Sequence, residues 1–386
     1  MTRHDVITKS VAMLRLRRDD LIGKDLIGKS AARLRLRRDD LIRVGRVIVV
    51  SVVCVVCVVM IASVPRWGAT HALLGIREAP KANTTSAPLT VDQAKRILAR
   101  TFTAAYLGET TSGEAAQAQL RTAYTGEGLR GVSGRVKLAS VQPALATSLL
   151  LAPHPKLLAV SRGLGFPRFI IAQTVASDGG LPILHLLVSP DAATPYRISM
   201  SAEMVPPATV EPFDRLSSGS PLVTNGTGPQ LTNGTGLTVA PATLLNLYAA
   251  QMAFPAKAIS KAPFVADSFA VQVRAGAAGA ADAVASQATY TQVHAVVPSS
   301  VYAVRQASGV ALVFGVLERT DSFAVNPGEN VNTVANKAFV LLTGKNLVTK
   351  AASITPLEFV VFAVPRSTGQ ATLVAAREQI VAGSGS

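Results

Sequence analysis

The feature that most constrains this chain is an uncharged run of 18 residues, 47–64, which reads VIVVSVVCVVCVVMIASV. A helix of that length covers ~27 Å, and the hydrocarbon core of a bilayer is ~30 Å thick. Ten of the residues are valine, which in water favours a strand. In lipid, however, a lone strand leaves its backbone groups unpaired, at several kcal/mol each. The run therefore predicts a transmembrane helix.

The charges on either side of this run predict its orientation. The 20 residues before it, 27–46, contain seven Lys or Arg, whereas the 20 residues after it, 65–84, contain three. The side with more positive charge stays in the cytoplasm. Small residues at 69–72 (ATHA) resemble a cleavage site, but the apolar run is longer than a cleavable signal core. We predict an uncleaved single-pass anchor in the cell membrane, with the C-terminal part extracellular.

The predicted cytoplasmic tail, residues 1–46, contains a 20-residue repeat. The segment KSVAMLRLRRDDLIG at 9–23 returns as KSAARLRLRRDDLIR at 29–43, and the tail has a net charge of +7. Two interpretations stay open. The tail could lie on anionic lipid, which attracts each nearby basic residue by ~1 kcal/mol. Alternatively, the repeat is a recent duplication upstream of a later start codon.

Both cysteines, Cys54 and Cys57, lie inside the apolar run. Apolar surroundings raise the pKa of a thiol, so the C-x-x-C spacing does not predict redox chemistry here. The other 340 residues after the tail have a net charge of +8, without a basic cluster interleaved with aromatic residues. This distribution does not favour nucleic-acid binding.

Beyond the anchor, the sequence predicts an α+β protein with two tandem domains, 88–207 and 237–383. They are separated from the anchor by a linker, 65–87, and from each other by a Gly/Thr/Asn-rich linker, 208–236. Each predicted domain begins with Leu-Thr-Val followed by a helical pattern, at Leu89 and again at Leu237. In the first, Thr90 and Gln93 have the spacing of a capping box. In the second, Pro241 falls in the first helical turn, where no donor is lost.

The predicted strands also recur in the second half at similar spacing. We pair 152–162 with 296–306, 168–176 with 310–318, 181–189 with 337–344, and 196–206 with 356–365. Helices followed by strands within one unit indicate segregated helices and an antiparallel sheet. The repeat predicts a duplicated domain, with coincidence between apolar strands as the alternative.

Several of these strand segments resemble an uncharacterised domain family from high-GC Gram-positive bacteria. The segments are FPRFIIAQTV, GLPILHLLVS, SGVALVFGVL, FVLLTGK, FVVFAVP and GQATLVAA. The family occurs on secreted or membrane-tethered proteins, and the likeness covers about residues 89–381. It implies tandem cone-like domains of the nuclear-transport-factor type, with helices packed into a curved sheet. It implies no activity, so no residue inherits a catalytic role.

The polar residues do not form a recognisable catalytic pattern. His185 lies between leucines in a predicted strand, with Asp178 as the nearest acid, and we interpret it as a structural histidine. Neither His154 nor His294 has a carboxylate at a spacing that would predict a functional pair. Three glutamates, Glu203, Glu318 and Glu358, each occur singly in a strand, which is typical of a solvated face. The sequence therefore predicts no catalytic residue, no cofactor and no metal ligand.

Two classes of function remain open at this stage. The first is a non-catalytic extracytoplasmic module that binds a protein or a cell-envelope partner, such as an accessory subunit of an envelope, transport or secretion assembly. The second is a small-molecule-binding protein or enzyme with a pocket inside the cone. A pocket with converging polar groups and perturbed acids would favour the second class, and a filled apolar cone would favour the first.

Overall fold

The structure is a computed structural model that describes residues 85–142, 155–175, 180–223, 236–257 and 261–386. The predicted tail, anchor and most of the first linker lie outside these residues. Within the described ranges, no helix combines the length and the apolar character needed to cross a membrane. Residues 81–386 form one compact unit.

Helices and antiparallel strands follow one another as an α+β protein requires, which confirms the predicted fold class. Three helices come first: α1 (Val91–Thr110), α2 (Gly113–Ala123) and α3 (Gly126–Ala139). Four strands follow: β1 (Lys156–Val160), β2 (Arg168–Thr174), β3 (Ile183–Ser189) and β4 (Arg197–Met204). The second half contains α4 (Pro241–Gln251), α5 (Ser268–Val284), β5 (Ala288–Val296), β6 (Tyr302–Arg305), β7 (Ala311–Val325), β8 (Val331–Asn332), α6 (Lys337–Thr343), β9 (Leu347–Val348), β10 (Ala351–Val364) and β11 (Thr372–Gly385).

Both predicted helix starts are confirmed. Thr90 Oγ1 accepts a hydrogen bond from the backbone of Gln93 at 3.2 Å, and the Gln93 side chain accepts one from the backbone of Thr90 at 2.8 Å. This reciprocal pair satisfies two donors that a helix N-terminus otherwise leaves free. Pro241 occupies the first position of α4. The helical pattern after Leu89 predicts an apolar face at Ala94, Ile97, Leu98, Phe102 and Ala105; four of these are buried and Ile97 is partly buried.

Nine of these strands, from both halves, belong to one antiparallel sheet with the order β1-β2-β3-β4-β11-β10-β7-β5, whereas β8 and β9 pair with each other in a separate sheet. Strand β6 pairs with β7 off this path. Each half forms a meander. The last strand of the first half, β4, pairs with the last strand of the second half, β11. The division into two domains stays a prediction, since their strands share this sheet.

Three apolar clusters show how the layers pack. One joins α1–α3 to one face of β1–β4, and another joins α4 and α5 to β6, β7, β10 and β11. The third contains side chains from strands of both halves and lies between them, with Phe169, Leu186, Phe314 and Phe359 among its members. Helices therefore cover the outer side of each half, and the central cluster holds the two halves together.

Part of the segment predicted as an exposed linker is instead buried. Ser220 is fully buried and forms a bridge with Ser161, just after β1, while Leu222 forms a bridge with Val304 in β6. The chain of strand pairings consequently closes on itself through these two residues. Burial of this short segment depends on the edges of β1 and β6, which its own composition does not show.

The predicted strand at 337–344 is wrong, because this segment forms α6. Asn336 caps the helix by accepting a hydrogen bond from the backbone of Phe339 at 3.0 Å. Gly344 ends it in the left-handed conformation, with φ of 69°, which favours glycine. A short apolar run fits either a strand or a helix, and here the flanking caps decide. The counterparts of β3 and β4 by strand order are β10 and β11.

Candidate functional site

Among the described residues, a cavity of about 470 Å³ between α5 and the sheet is the one with charged side chains gathered on its floor; a larger space of about 680 Å³ lies beside β1 and residues 208–216. One wall is α5, and the other is formed by β5, β7, β10 and β11. Its lining residues are Phe269, Gln272, Val273, Gly276, Ala277, Ala280, Tyr290, Gln292, Arg319, Asp321, Phe323, Ile354, Glu378 and Ile380. Most of the wall is apolar, and the charged groups lie together on the strands.

The cavity exists because α5 presents small residues to the sheet. Its sequence, SFAVQVRAGAAGAADAV, places Gly276, Ala277 and Ala280 along the lining face. Asp267 starts the helix by accepting a hydrogen bond from the backbone of Ala270 at 2.8 Å. A side chain added at Gly276 would meet no atom within 4 Å of its Cβ. The Gly/Ala-rich run at 274–285, which by its sequence fits either a flexible stretch or a poor helix, thus lies almost entirely within a regular helix that leaves space beneath it.

The first half has no comparable opening at the matching place. The space lined by α3 and the sheet measures about 10 Å³, which is about the volume that one water-sized sphere needs. Larger side chains occupy this region, as when the ring of Phe102 on α1 meets the ring of His185 edge-on at 4.9 Å. At this matching place, the second half therefore has an open space between helix and sheet, and the first half does not.

Arg319 is the centre of the charged cluster on the cavity floor. Its Nε lies 3.0 Å from Asp321 Oδ1, two residues along the same strand. Its Nη1 lies 3.0 Å from Glu358 Oε1 on β10 and 2.6 Å from Glu378 Oε2 on β11. Glu358 and Glu378 are direct cross-strand partners, a placement that is unfavourable for two negative charges. The guanidinium between them offsets this repulsion.

Two neutral polar side chains from β5 extend the cluster. The Tyr290 hydroxyl lies 2.9 Å from Asp321 Oδ1 and 3.0 Å from Gln292 Oε1. The Gln292 amide donates to the carbonyl of Met252 at 2.7 Å, which fixes its orientation. Because Tyr290 and Gln292 are two residues apart on a strand, both point to the same face. Their position brings a hydroxyl and an amide to the edge of the charged floor.

Burial and neighbouring charges shift the pKa values of this cluster. Burial raises the pKa of Glu358 to about 8, although Arg319 acts in the opposite direction. Burial also raises the pKa of Asp321, again against the effect of Arg319. For Arg319, burial alone would lower the pKa, but Glu378, Asp321 and Glu358 together raise it. At neutral pH, Glu358 is consequently mostly protonated.

His294 lies behind this cluster, and its side chain is fully buried. Its Nε2 is 3.7 Å from Glu358 Oε1, which is too long for a hydrogen bond. Burial, together with the positive charge of Arg319, lowers the pKa of His294 to about 4. The imidazole is therefore neutral at pH 7, and the pair is not an ion pair at that pH.

The expectation that three glutamates mark solvated faces is wrong for Glu358, which is fully buried. Glu203 is half-buried, and Glu318 is partly exposed and pairs with Arg130 at 2.8 Å. Glu358 is buried by elements that are distant from it in the sequence. A local signal was nevertheless present in the sequence: Arg319 and Asp321 alternate with Thr320 and so share one face of β7.

His185 lies outside the cavity and has the contacts expected of a structural histidine. Its Nε2 is 2.8 Å from Thr174 Oγ1, and its Nδ1 is 2.8 Å from Ser201 Oγ. Burial, followed by the charge of Arg377, lowers its pKa to about 3. Asp178, the acid considered as its partner, and His154 both lie outside the described residues.

A second buried polar group supports the first half and faces α3. Glu109 accepts hydrogen bonds from Tyr124 and from Arg135, and burial raises the pKa of Tyr124. Burial lowers the pKa of nearby Arg377 to about 10, and the charge of Arg135 acts in the same direction. With a space of about 10 Å³ beside it, this group has a structural role.

Metal binding has no support in the part of the chain that the structure describes. There, no group of three or more His, Cys, Asp or Glu side chains could hold a metal ion. The acids of the cavity floor contact the guanidinium of Arg319.

No family model, no curated protein and no solved structure matches this chain. The resemblance to an uncharacterised bacterial family and to cone-like domains therefore stays a prediction. What the chain does has to be inferred from the geometry of its cavity.

Proposed function

We propose that this chain is a membrane-anchored, extracytoplasmic binding protein that holds a small organic ligand in the cavity under α5. The observation that carries the proposal is the cavity itself, about 470 Å³ with an apolar wall and a converging polar floor. Ligand sites in proteins typically measure ~300–1,000 Å³ and combine apolar walls with a few placed polar groups. The anchor and its orientation belong to the proposal as well, on the strength of the apolar run and its flanking charges.

The contrast between the two halves supports a binding role for the second. Protein cores normally pack to a density near that of organic crystals, and the space beside α3 in the first half measures only about 10 Å³. In α5, Gly276 and Gly279 lower helix stability, since each glycine inside a helix costs ~0.5–1 kcal/mol relative to alanine. A helix that keeps such residues and leaves an open cavity fits a site for a ligand.

Filling the cavity tests the proposal. The full chain, reconstituted in lipid nanodiscs, would be screened against a library of small organic fragments by saturation-transfer NMR. The variant Gly276→Leu should abolish binding, because the new side chain begins at the cavity wall in open space. The matched control is Gly279→Leu, on the same helix but outside the cavity lining, where a Cβ also meets no atom within 4 Å.

Both variants should melt at or above the temperature of the unmodified chain, because leucine has a higher helix propensity than glycine. Loss of binding in the first variant alone therefore cannot come from unfolding. Fragments that bind the unmodified chain and the Gly279→Leu variant, but not the Gly276→Leu variant, would support the site. If no fragment shows this pattern, the proposal is wrong.

A second candidate function, general acid–base catalysis in the same cavity, is favoured by one observation. Asp321 and Glu378 both contact Arg319, but the Asp321 side chain is 10% exposed and the Glu378 side chain is 34% exposed. Burial raises the pKa of Asp321, and an acid with a raised pKa is better matched to general acid–base catalysis near neutral pH. Prolonged incubation of bound fragments with the chain, followed by product detection, separates the two functions. If the Asp321→Asn variant loses turnover but still binds the fragment, the protein is an enzyme.

A protein or cell-envelope partner also stays a prediction, by analogy with tethered accessory subunits of envelope, transport or secretion assemblies. Analogy between folds does not assign a function. The cavity adds a feature that such an assembly could use, since a bound ligand would change the charge and packing next to α5.

A further inference from the structure

We propose that the ligand of the α5 cavity carries one positive charge, as an ammonium group attached to an apolar body. This inference rests on the proposed function, because it names the chemical class that the same cavity would select. Its basis is the excess of carboxylates over cations on the floor, together with the apolar side chains in the rest of the lining.

The charge count of the floor favours a cation. Among the described lining residues, Arg319 is the one cation, whereas Asp321 and Glu378 are both acids. A third acid, Glu358, contacts the same guanidinium from behind. One positive charge therefore faces three carboxyl groups, and the floor keeps a negative charge even when Glu358 is protonated. An incoming cation would compensate that charge.

Glu378 is the group best placed to receive the ammonium. It lines the cavity, and its side chain is 34% exposed, compared with 11% for Arg319. Its Oε2 is held by Arg319 at 2.6 Å, so the carboxylate is oriented before a ligand arrives. A preoriented acceptor loses little conformational entropy on binding. The Gln292 side chain, oriented by Met252, lies at the same floor as a neutral acceptor.

An anionic ligand would have to bind Arg319, whose Nε and Nη1 already contact carboxyl groups. Its Nε contacts Asp321, and its Nη1 contacts both Glu358 and Glu378. A carboxylate or phosphate would also approach two acids of the lining at close range, which is unfavourable. The floor therefore discriminates against anions as well as favouring cations.

The apolar part of the lining, which comes from both α5 and the sheet, selects an apolar body. Phe269, Val273, Phe323, Ile354 and Ile380 surround the floor with aromatic and aliphatic carbon. Burying such surface is favourable by ~25 cal/mol per Å² of apolar area. The cavity volume, about 470 Å³, accommodates an aryl-alkyl chain of a few carbons beyond the ring.

Three probes that differ only in the terminal group test the inference: phenylbutylamine, phenylbutanol and phenylbutyrate. Binding to the full chain in nanodiscs of zwitterionic lipid would be measured by isothermal titration calorimetry at neutral pH. The Gly276→Leu variant, in which the new side chain is expected to obstruct the cavity, measures the partition of each probe into the lipid. This signal is subtracted from that of the unmodified chain. We expect the amine to bind about tenfold more tightly than the alcohol, and the acid to bind more weakly than both.

The variant Glu378→Gln keeps a hydrogen-bond acceptor for Arg319 but removes the charge. It should weaken the amine about tenfold and leave the alcohol unchanged, because a charge-assisted hydrogen bond is roughly twice as strong as a neutral one. Its melting temperature, measured in parallel, shows whether the fold survives. The exposed pair of Glu127 with Arg130 offers a matched control, Glu127→Gln, which should change neither affinity.

The outcomes separate this inference from the proposed function. Equal binding of amine and alcohol, both lost in Gly276→Leu, would refute the charge preference and leave the binding site intact. Tighter binding of the acid would also refute it, and would show that Arg319 dominates. If none of the three probes shows binding that depends on Gly276, both the inference and the proposed function fail.

Discussion

Replacing Glu358 by glutamine is expected to remove a loss of stability that the unmodified protein shows as the pH rises from 6.5 to 8. Burial raises the pKa of Glu358 from 4.5 to about 8. Between these values, the folded protein keeps a proton that the unfolded chain has released. The free energy of unfolding therefore falls as the pH rises through this window.

Comparison with the Glu358→Gln variant, which keeps both buried histidines, isolates this group. The pKa values of His294 and His185 are lowered from 6.5 to about 4 and about 3, so both are neutral in the folded state throughout the window. In the unfolded chain they lose the rest of their protons above pH 6.5, which raises the free energy of unfolding by about 0.8 kcal/mol between pH 6.5 and 8 in both proteins. Asp321, whose pKa is also raised, acts in the same direction as Glu358.

The magnitude follows from the size of the window. One group whose proton is held only in the folded state changes the free energy of unfolding by ~1.4 kcal/mol per pH unit. The slope weakens as the pH approaches the folded pKa, so the loss between pH 6.5 and 8 amounts to about 1.5–2 kcal/mol. In the Glu358→Gln variant, the glutamine oxygen can still accept from Arg319, and this loss should be absent.

Thermal unfolding of the full chain in nanodiscs, followed by circular dichroism at both pH values, measures the effect. A change of this size corresponds to a few degrees in melting temperature. The control is Glu318→Gln, one residue before Arg319, where the carboxylate is partly exposed and pairs with Arg130; this variant keeps Glu358 and should therefore keep the loss that Glu358 causes. If the Glu358→Gln variant loses as much stability as the unmodified chain from pH 6.5 to 8, the assignment of a buried, mostly protonated Glu358 is wrong.

Three further predictions concern other parts of the chain. His185→Ala should cost ~1–3 kcal/mol of stability, since it leaves two buried hydroxyls without their partner; loss of function at unchanged melting temperature would instead indicate a catalytic histidine. Thr90→Ala should destabilise α1 by ~1 kcal/mol through loss of the cap, and a melting temperature equal to that of the unmodified chain would contradict the reasoning. Alkaline phosphatase fused after Ser386 should be active outside the cell and inactive when fused within residues 1–46, and the reverse pattern would overturn the predicted orientation.

Local sequence signals were sufficient where a structure depends on neighbours along the chain. The capping box at Thr90, the proline at the start of α4 and the apolar face of α1 all appear as predicted. Each depends on contacts within a few residues, so the spacing of side chains contains the information. The α+β class followed from the same periodicities, because helices and strands place apolar residues at different intervals.

Tertiary structure decided the features that depend on what covers each face. The alternation around Glu358 shows that it faces opposite to Leu357 and Phe359, but not that Arg319 and His294 lie next to it. The segment 337–344 is apolar enough for a strand, and its caps alone distinguish the helix α6. Ser220 is buried because two distant strand edges meet beside it.

The cavity illustrates the same limit. Glycine and alanine in α5 were visible in the sequence as a run of small residues, which is compatible with a flexible stretch, a close helix contact or an open space. Which of these occurs depends on the distance between α5 and the sheet. The charged floor comes from β5, β7, β10 and β11, whose residues lie up to 88 positions apart, from Tyr290 to Glu378. Only the pairing of these strands brings the groups together, because side chains on separate strands become neighbours through backbone hydrogen bonds rather than through sequence.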